Sequence, residues 1–542
     1  MSLSKYGFGA FFFTIVRFIR CFFQTTNKVN FFYIIITKRK KYLKLKHFLI
    51  FVANFQSMMR NNINDTICAP ATVPGTGAIS VVRLSGKDAV SIADKVLGGV
   101  LKDTPGYRVR FAHVSDGNGA VLDDVLATVF RAPHSYTGED SVEISCHASS
   151  YIVEQLLMLL TSAGARLADP GEFTRRAFVN GKMDLAEAES VADLIASRTE
   201  ASHKVAMNQM KGGFSSELKK MRDELLNLVT LMELELDFSE EDVQFADRDA
   251  LTVLAGRIRD HAMGLAESFK AGNAVKNGLP VVIVGATNAG KSTLLNTLLG
   301  EERAIVSEQH GTTRDTVEEC LNIDGMLFRF IDTAGIRENA GNIERKGIER
   351  TFAKIDAASV VLAVMDISSP VRRLVESLRA VLGHVDLGQQ KLMLLMNKAD
   401  LYASGDEGGF SEELTERLTT VYDRLQAVLP EGYGIIRDIP VIPVSAKMSY
   451  GIDELRGALA GYMRSVIGEP GAVLVTNLRH AEALRATSAA LDRVIQGLFD
   501  GIPTDLVAQD VREAIYHLGK ITGEISTEEV LGNVFGKFCI GK

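Results

Sequence analysis

Residues 281–293 combine residue types and a spacing that can bind a phosphate group. An apolar run is followed by Gly285, four further residues, and then Gly290, Lys291 and Ser292, which is the pattern of a phosphate-binding loop. Glycine is needed where backbone N–H groups must close around a phosphate without a Cβ in the way. Lys291 would reach the β- and γ-phosphates, and Ser292 would bind Mg²⁺. The helix expected to begin at Lys291 directs its N-terminus at the same anion.

Three later motifs each follow an apolar run, so each is expected at the end of a strand. They are Asp332-Thr333-Ala334-Gly335, Asn397-Lys398-Ala399-Asp400 and Ser445-Ala446-Lys447. Asp332 would lie near Mg²⁺, and the backbone N–H of Gly335 would meet the γ-phosphate. Asp400 can accept both N–H groups at the edge of guanine, which adenine does not offer, and residues 445–447 suit the guanine carbonyl. Four such motifs in this order predict a guanine-nucleotide-binding domain of the Ras-like kind.

The composition of the 542 residues is that of a globular chain with room for three or four domains, since 46% of its residues are hydrophobic and 23% are charged. Its five cysteines form no Cys-x-x-Cys or Cys/His pair, which favours a reducing compartment and argues against disulfides or structural zinc. The net charge is −7. An acidic body is atypical of a protein that coats nucleic acid, so any contact with RNA is expected at a local patch.

Residues 1–57 differ in composition from the rest of the chain, because they are rich in Phe, Ile, Lys, Asn and Tyr and contain no Asp or Glu. A transmembrane anchor is disfavoured because basic residues interrupt every apolar run before it reaches the roughly 18–20 residues needed to cross a bilayer. A mitochondrial transit peptide fits the missing acids but not the scarcity of Ser. We favour a third interpretation, translation of an upstream non-coding stretch with the native start at Met58 or Met59.

The remaining chain predicts a multidomain α/β and α protein. We expect an N-terminal α+β domain over 58–180, the first part of a helical domain over 181–276, a GTPase domain over 277–468, and the second part of the helical domain over 469–542. Strands are predicted at 78–84, 127–130 and 142–145, and helices at 87–97 and 151–160. Apolar residues at helical spacing predict long helices over 184–245 with a break at Gly212-Gly213, and further helices at 249–270, 480–499 and 505–522. The GTPase domain thus interrupts one helical bundle.

Motifs outside the nucleotide site indicate to which family of GTPases the chain is similar. The chain reads Asp65-Thr-Ile-Cys-Ala-Pro-Ala-Thr-Val-Pro-Gly-Thr-Gly77 near its front, Pro170-Gly-Glu-Phe-Thr-Arg-Arg-Ala-Phe-Val-Asn-Gly-Lys-Met-Asp-Leu185 in the middle, and Phe538-Cys-Ile-Gly-Lys542 at its end. With Gly311-Thr-Thr-Arg-Asp315 in the first switch, these motifs closely resemble the MnmE (TrmE) family of tRNA-modification GTPases. The resemblance covers about residues 63–542.

This resemblance implies an N-terminal folate-binding and dimerising domain, a helical domain and an inserted GTPase domain. It implies a cytoplasmic homodimer, not bound to membrane, that acts with an MnmG-type FAD protein in a heterotetramer or larger complex. The pair would add an aminomethyl or carboxymethylaminomethyl group at C5 of wobble uridine in tRNA, with 5-formyl- or methylene-tetrahydrofolate supplying the one-carbon unit. GTP, Mg²⁺ and K⁺ are the other expected cofactors.

Motifs and resemblance together predict the residues that contact nucleotide and ions. They are Asn288, Ala289, Gly290, Lys291, Ser292, Thr293, Ser307, Glu308, Gln309, His310, Gly311, Thr312, Thr313, Asp332, Thr333, Ala334, Gly335, Asn397, Lys398, Asp400, Ser445, Ala446 and Lys447. Ser292 and Thr313 are the expected Mg²⁺ ligands. The resemblance assigns K⁺ to Asn288, Ser307, Gln309 and Thr312.

The position after the Asp-x-x-Gly turn holds Ile336, where Ras-type proteins use a glutamine to orient the attacking water. The resemblance implies that K⁺ replaces an arginine finger and that Glu344 positions the water. Asn288 also fits a turn former inside the loop, and Glu344 also fits a solvated residue at a helix start.

The remaining assignments also come from the resemblance. Arg83, Glu143, Lys182 and the terminal Lys542 are expected to bind the folate, whose pterin edge suits a carboxylate and whose glutamate tail suits basic residues. Lys291, Glu344 and Cys539 are the expected catalytic residues, although Cys539 also fits an idle tail residue.

Two other functions would share the GTPase domain. A ribosome-assembly GTPase would carry a basic RNA-binding appendage such as a KH fold, whereas this chain has an acidic body. A GTPase switch anchored to membrane would need residues 1–57 or the C-terminal cysteine as its anchor, and a final Lys is unsuitable for prenylation.

Overall fold

The computed structural model describes residues 65–116, 119–237, 248–301, 318–331, 355–402, 412–426, 439–468, 471–536, 538 and 541. All elements below belong to one compact unit, Ile67–Lys542. The predicted fold class is confirmed: an α+β domain comes first, followed by a helical bundle into which a P-loop GTPase domain is inserted. Residues 1–57 lie outside the described residues.

The N-terminal domain is a six-stranded sheet covered on one face by two helices. Its elements are β1 (Ile67–Pro70), β2 (Ile79–Ser85), α1 (Ala89–Val96), β3 (Arg108–Ser115), β4 (Val121–Phe130), β5 (Ser141–His147), α2 (Ser150–Ser162), β6 (Arg166–Leu167) and α3 (Glu172–Val179). The strand order is β3-β4-β5-β2-β1-β6, antiparallel except for β1 beside β6. Alternate residues of β4, such as Val125, Ala127 and Val129, face the core under α1 and α2.

Among the described residues, the first part of the helical domain contains five helices. They are α4 (Leu185–Ala196), α5 (Glu200–Met210), α6 (Gly213–Asp237), α7 (Arg248–Glu267) and α8 (Phe269–Asn277). At the start of α4 the Asp184 side chain accepts a hydrogen bond from the Glu187 backbone N–H, and Glu187 accepts one from the Asp184 N–H, both at 2.8 Å. This reciprocal pair satisfies two backbone donors that the helix leaves unpaired.

The nucleotide domain is a doubly wound sheet. Its elements are β7 (Leu279–Val284), α9 (Lys291–Glu301), β8 (Glu319–Ile323), β9 (Met326–Ile331), β10 (Val360–Asp366), α10 (Val371–Leu382), β11 (Lys391–Asn397), α11 (Glu412–Gln426), β12 (Val441–Val444) and α12 (Ile452–Ile467). The strand order is β12-β11-β10-β7-β9-β8, parallel except for the β8–β9 hairpin. β7, β10 and β11 are almost wholly buried, as expected of parallel strands covered on both faces.

The helical domain resumes after the nucleotide domain with α13 (Leu478–Phe499), α14 (Thr504–Thr522) and α15 (Glu528–Phe535). One hydrophobic core contains side chains from α6 and α7 as well as from α13 and α14, for example Leu225, Ile258, Leu491 and Val511. The two helical stretches, separated by about 200 residues of sequence, therefore fold as one bundle.

A buried ion pair joins the two halves of the bundle. The Glu189 carboxylate on α4 lies 2.7 Å from Nε2 of His480 and 3.1 Å from the Arg479 guanidinium, both at the start of α13. Burial by itself raises the pKa of Glu189, but the hydrogen bond and charge of His480 and the charge of Arg479 together lower it to about 2. Glu189 therefore stays ionised at neutral pH, and its charge is compensated where it is buried.

Several sequence predictions differ from the structure in their bounds. The single helix predicted over 249–270 is wrong, since α7 ends at Glu267 and α8 begins at Phe269. Ser268 lies between the two helices, and its Oγ accepts a hydrogen bond from the Val475 N–H at 3.1 Å. The break at Gly212-Gly213 is confirmed, and a second break separates α4 from α5. Strand β3 was not predicted, because neither face of Arg108–Ser115 is consistently apolar.

Among the described residues, no helix combines the length and apolar character needed to cross a membrane.

The close approach of α8 to the chain after the nucleotide domain gives a testable prediction. A Cβ added at Gly272 would lie 2.2 Å from the carbonyl oxygen of Val475, a backbone atom that a side-chain rotation cannot move. Gly272→Ala should therefore destabilise the protein by about 1–3 kcal/mol, as overpacking does. Thermal unfolding of the full chain measures this.

The matched control is Gly264→Ala in α7, where an added Cβ meets no atom within 4 Å. This variant should be neutral or stabilising by up to about 1 kcal/mol, since alanine favours a helix more than glycine. An unchanged melting temperature for Gly272→Ala would contradict the packing of α8 described above.

Candidate functional site

The phosphate-binding loop lies where β7 meets α9, in the middle of the sheet. Gly285 has φ +152° and Gly290 has φ +96°, conformations that side-chain-bearing residues rarely adopt. A Cβ at Gly285 would lie 2.2 Å from the Val364 carbonyl oxygen, and one at Gly290 would lie 2.1 Å from Nδ2 of Asn397. Both glycines are thus required by the backbone path and by close neighbours, which leaves the loop open as a cradle for phosphate.

Lys291 is the cation of this loop. Its Nζ donates hydrogen bonds to the carbonyl oxygens of Gly285 and Ala286, each at 2.9 Å. Burial lowers the pKa of Lys291. A phosphate in the loop would offer this ammonium an anion in place of two neutral carbonyls, and the charged form would then be favoured.

Asn397 connects the phosphate-binding loop to the predicted base-binding loop. This side chain is 3% exposed. Its Nδ2 donates to the Ala289 carbonyl oxygen at 2.7 Å, and its Oδ1 accepts from the Ala446 N–H at 3.1 Å. Three of the four sequence motifs therefore meet at one buried amide.

The predicted guanine-binding carboxylate is also held in place. The Ser445 hydroxyl donates a hydrogen bond to Oδ1 of Asp400 at 2.7 Å. Thr297 of α9 donates to the Ala446 carbonyl oxygen at 2.7 Å, which fixes the loop that holds Ser445. Asp400 and Ser445, predicted separately from the sequence, lie side by side at the carboxyl edge of the sheet, where ligands of such folds bind.

Asn288 adopts φ +64°, the left-handed conformation that asparagine tolerates better than most residues. This agrees with the turn-former alternative and leaves the role in binding K⁺ a prediction. Lys291 and Ser292 lie in the described first turn of α9. The remaining predicted ion ligands and catalytic residues fall outside the described residues, as do the first-switch contacts, the Asp-x-x-Gly contacts and the terminal lysine. They are Ser307, Glu308, Gln309, His310, Gly311, Thr312, Thr313, Asp332, Thr333, Ala334, Gly335, Glu344, Cys539 and Lys542.

One pair at the nucleotide site was not predicted. Asp366 ends β10, and its Oδ2 lies 2.6 Å from Nζ of Lys398. The available signal was the position of Asp366 at a strand end on the same edge as the four motifs. Sequence alone could not give its partner, because the contact depends on the pairing of β10 with β11.

A second cluster lies in the N-terminal domain. Arg83 and Glu143 are cross-strand neighbours on β2 and β5, and their side chains form an ion pair with a shortest N–O distance of 2.7 Å. The guanidinium carbon of Arg83 lies 5.5 Å from the ring centre of Tyr136 and 5.8 Å from that of Phe173. Both charged side chains are partly exposed, so the predicted folate residues form an accessible pair beside two aromatic rings.

Lys182 contacts the loop that contains Tyr136. Its Nζ donates to the Pro133 carbonyl oxygen at 3.1 Å, and its stem passes Gly138, where a Cβ would lie 3.3 Å from Cγ. Arg83, Glu143 and Lys182 therefore share one region around residues 133–138.

Buried charges that the sequence analysis missed support this region. The Arg176 guanidinium lies between Glu139 at 3.3 Å and Glu172 at 3.1 Å, and Arg166 contacts Glu172 at 2.6 Å. Burial raises the pKa of Glu172, but the hydrogen bonds from Arg166 and from the Asp169 N–H outweigh it, so the pKa lies below its usual value. The Ser85 hydroxyl donates to Glu139 at 2.7 Å, which ties the network to β2.

The C-terminal tail reaches the N-terminal domain. A Cβ at Gly541 would lie 2.0 Å from the Pro70 carbonyl oxygen, so the tail runs directly against β1. β1 pairs with β2, where Ala69 lies opposite Arg83. Phe538 packs against Phe535 with ring centres 5.7 Å apart, which anchors the described part of the tail.

These features define a P-loop guanine-nucleotide-binding domain inserted into a helical bundle, with a second candidate site under the tail. Two family models match the chain: "GTP-binding protein TrmE N-terminus" over residues 66–182 and "MnmE helical domain" over residues 185–539. The chain belongs to the MnmE (TrmE) family of tRNA modification GTPases.

The sequence aligns with curated relatives over nearly their whole length. The chain is 46% identical over 483 residues to the tRNA modification GTPase MnmE of Bacteroides fragilis (strain YCH46) and 47% identical over 483 residues to that of Bacteroides thetaiotaomicron, in each case covering 88% of this chain and 99% of the relative. It is 46% identical over 495 residues to the protein of that name from Porphyromonas gingivalis, covering 90% of this chain and all of the relative.

Proposed function

We propose that the protein is a K⁺-dependent GTPase that modifies tRNA in the cytoplasm. Together with an MnmG-type FAD protein it adds an aminomethyl or carboxymethylaminomethyl group at C5 of wobble uridine. The observation that carries this proposal is the identity of about 46% across nearly the full length of tRNA modification GTPases, together with a phosphate loop and a base loop joined through one side chain.

The residues of the nucleotide site suit GTP. The glycine cradle and Lys291 meet the phosphates, and Asp400 accepts two hydrogen bonds from the guanine edge. Ser292 and Thr313 would hold a Mg²⁺ ion, which would offset the negative charge of the phosphates. Ser445 keeps the Asp400 carboxylate turned toward the edge of the sheet at which the phosphate loop also lies.

The hydrolysis step needs positive charge and an ordered water. The side chain of Ile336 cannot hydrogen-bond to water, and the resemblance to the MnmE family assigns the role of holding the water to Glu344. A bound K⁺ would supply charge where other GTPases use an arginine finger, with Asn288, Ser307, Gln309 and Thr312 as ligands.

The second site suits a tetrahydrofolate such as the 5-formyl or methylene derivative. Arg83 forms an ion pair with Glu143, and the Glu143 carboxylate would grip the pterin edge at two points. Tyr136 and Phe173 offer aromatic surface to the pterin ring. Lys182 and the terminal Lys542 would meet the anionic tail of the ligand.

The open face of the N-terminal sheet supports the proposed homodimer. β3 is an edge strand, and Val109, Phe111 and Leu126 are each about half exposed on the face that α1 and α2 do not cover (56%, 58% and 49%). An exposed apolar edge strand invites pairing with another chain. A second copy of this domain, covering the same strand, is the proposed occupant.

Cys539 is proposed to assist the one-carbon chemistry on uridine. The approach of Gly541 to Pro70 supports this, because it brings the end of the tail against β1, the strand that pairs with β2 and Arg83.

The role of the monovalent ion is tested by GTP turnover in KCl and in NaCl at equal ionic strength. Turnover should be at least about tenfold faster in KCl. The reason is that K⁺ would replace an arginine finger, which accelerates GTP hydrolysis by a factor on the order of 10³–10⁵. Asn288→Ala should lower the KCl rate toward the NaCl rate while GDP still binds. Glu344→Ala should slow turnover in both salts.

Asn273→Ala is the matched control, since this asparagine lies on α8, outside the loop. It should keep the KCl stimulation. Equal turnover of the unmodified protein in both salts would exclude the proposed role of K⁺.

The tail is tested in cells by mass spectrometry of wobble uridines. A strain whose only copy of the gene carries Cys539→Ser should lose the modification, and so should a strain that lacks the gene. The purified Cys539→Ser protein should hydrolyse GTP at nearly the normal rate. Cys320→Ser in β8 should keep the modification. A normal level of wobble-uridine modification in the Cys539→Ser strain would show that this cysteine is an idle tail residue. A normal level of modification in the strain that lacks the gene would refute the proposed function itself.

A further inference from the structure

The ion pair between Asp366 and Lys398 lies within the predicted base-binding region and has no assigned role. β10 and β11 run parallel, and Asp366 is paired in register with Asn397, the residue before Lys398. Asp366 Oδ2 lies 2.6 Å from Lys398 Nζ, and the two side chains are 20% and 38% exposed. The pair is therefore partly shielded from solvent, unlike most surface ion pairs, which contribute little.

The orientation of the Asp366 carboxylate is fixed by its own turn. Ser368 donates two hydrogen bonds to Oδ1, one from its N–H at 3.0 Å and one from its hydroxyl at 2.6 Å. The other oxygen, Oδ2, is left to face Lys398. Burial raises the pKa of Asp366, but the hydrogen bonds from Lys398 and Ser368 outweigh this and lower it, so the carboxylate is ionised at neutral pH. The charge that meets Lys398 is held in one direction.

The backbone conformation of Lys398 is strained, so an ion pair that holds its side chain would stabilise it. Lys398 adopts φ +67°, a left-handed conformation that is unfavourable for a residue with a side chain. It turns the chain from the end of β11 into the short 3₁₀ helix Ala399–Tyr402, which contains Asp400. The Lys398 carbonyl accepts from the Leu401 N–H at 3.2 Å, and this closes the turn.

Strain of this kind persists where the surroundings hold it. On the strand side the Ile367 N–H donates to the Asn397 carbonyl at 3.0 Å. On the side of the Lys398 side chain, the described contact is the pair with Asp366. Without this ion pair, the left-handed conformation of Lys398 is less stable. The turn that orients Asp400 can then adopt other conformations.

We propose that Asp366 is a positioning residue for guanine recognition: through Lys398 it holds the strained turn that presents Asp400 to the base. This rests on the GTP-binding function proposed above. Asp366 itself does not contact the nucleotide.

Binding of a fluorescent GDP and steady-state GTP turnover of the full-length protein test this role. Asp366→Asn keeps the shape of the side chain and removes its charge. It should raise the Kd for GDP by about tenfold, the scale of a lost charge-assisted hydrogen bond. The KM for GTP should rise to a similar extent, whereas kcat at saturating GTP should stay within about twofold, because the hydrolytic groups are untouched. Asp366→Glu, which keeps the carboxylate, should recover part of the affinity.

Glu376→Gln is the matched control. Glu376 forms a 3.0 Å ion pair with Arg372 on the exposed face of α10, so the change removes an equal charge from the same domain. It should leave Kd, KM and kcat as they are in the unmodified protein.

A double-mutant cycle with Lys398→Met asks whether Asp366 acts through Lys398. In the Lys398→Met background, Asp366→Asn should cost no further affinity, since the partner is already gone. An equal loss in both backgrounds, or an unchanged Kd in the single variant, would overturn the proposal. Failure of the unmodified protein to bind GDP would instead refute the nucleotide function on which the proposal rests. Because the cycle compares the effect of Asp366→Asn on Kd in two backgrounds, it stays decisive even where Asp366→Asn also lowers the melting temperature.

Discussion

The nucleotide site depends on the side-chain amide of Asn397. Its two polar atoms bond two different loops, the phosphate loop at Ala289 and the base loop at Ala446, and it is almost fully buried. A buried amide that satisfies both its donor and its acceptor fixes the distance between the groups it joins, since breaking either bond leaves a buried polar group unpaired at a cost of about 1–3 kcal/mol. Gly290 is required for the same reason, because any Cβ there would displace this amide.

The other contacts of the site extend from this bridge. Ser445 follows β12 and aligns Asp400, and Thr297 ties the base loop to α9, whose first residue is Lys291. Hydrogen bonds thus join the predicted phosphate-binding and base-binding loops at the carboxyl edge of the sheet. The helical domain surrounds it in sequence, and the packing of α8 on residues after α12 brings the chain back to the bundle.

The sequence was sufficient for the nucleotide motifs because each of them is local: a few residues after a buried strand carry the whole signal. The long amphipathic helices were equally visible, since their spacing is also local. Side-chain contacts that depend on the register of two paired strands could not be predicted from the sequence. Arg83 and Glu143 were expected as separate folate contacts, and only the pairing of β2 with β5 shows that they form one ion pair. Asp366 was missed for the same reason, because its partner Lys398 lies 32 residues away in sequence and the contact depends on the pairing of β10 with β11.

The bridge through Asn397 is tested most directly by the affinity of Asn397→Ala for GDP. Loss of two buried hydrogen bonds should weaken binding by about 100-fold, at about 1.4 kcal/mol per factor of ten. Asn322→Ala serves as the control, since its buried Oδ1 has no hydrogen-bond partner among the described residues. The account predicts this 100-fold loss in a variant that remains folded by circular dichroism, with the control unchanged. A folded Asn397→Ala protein that binds GDP within twofold of the unmodified protein would contradict it.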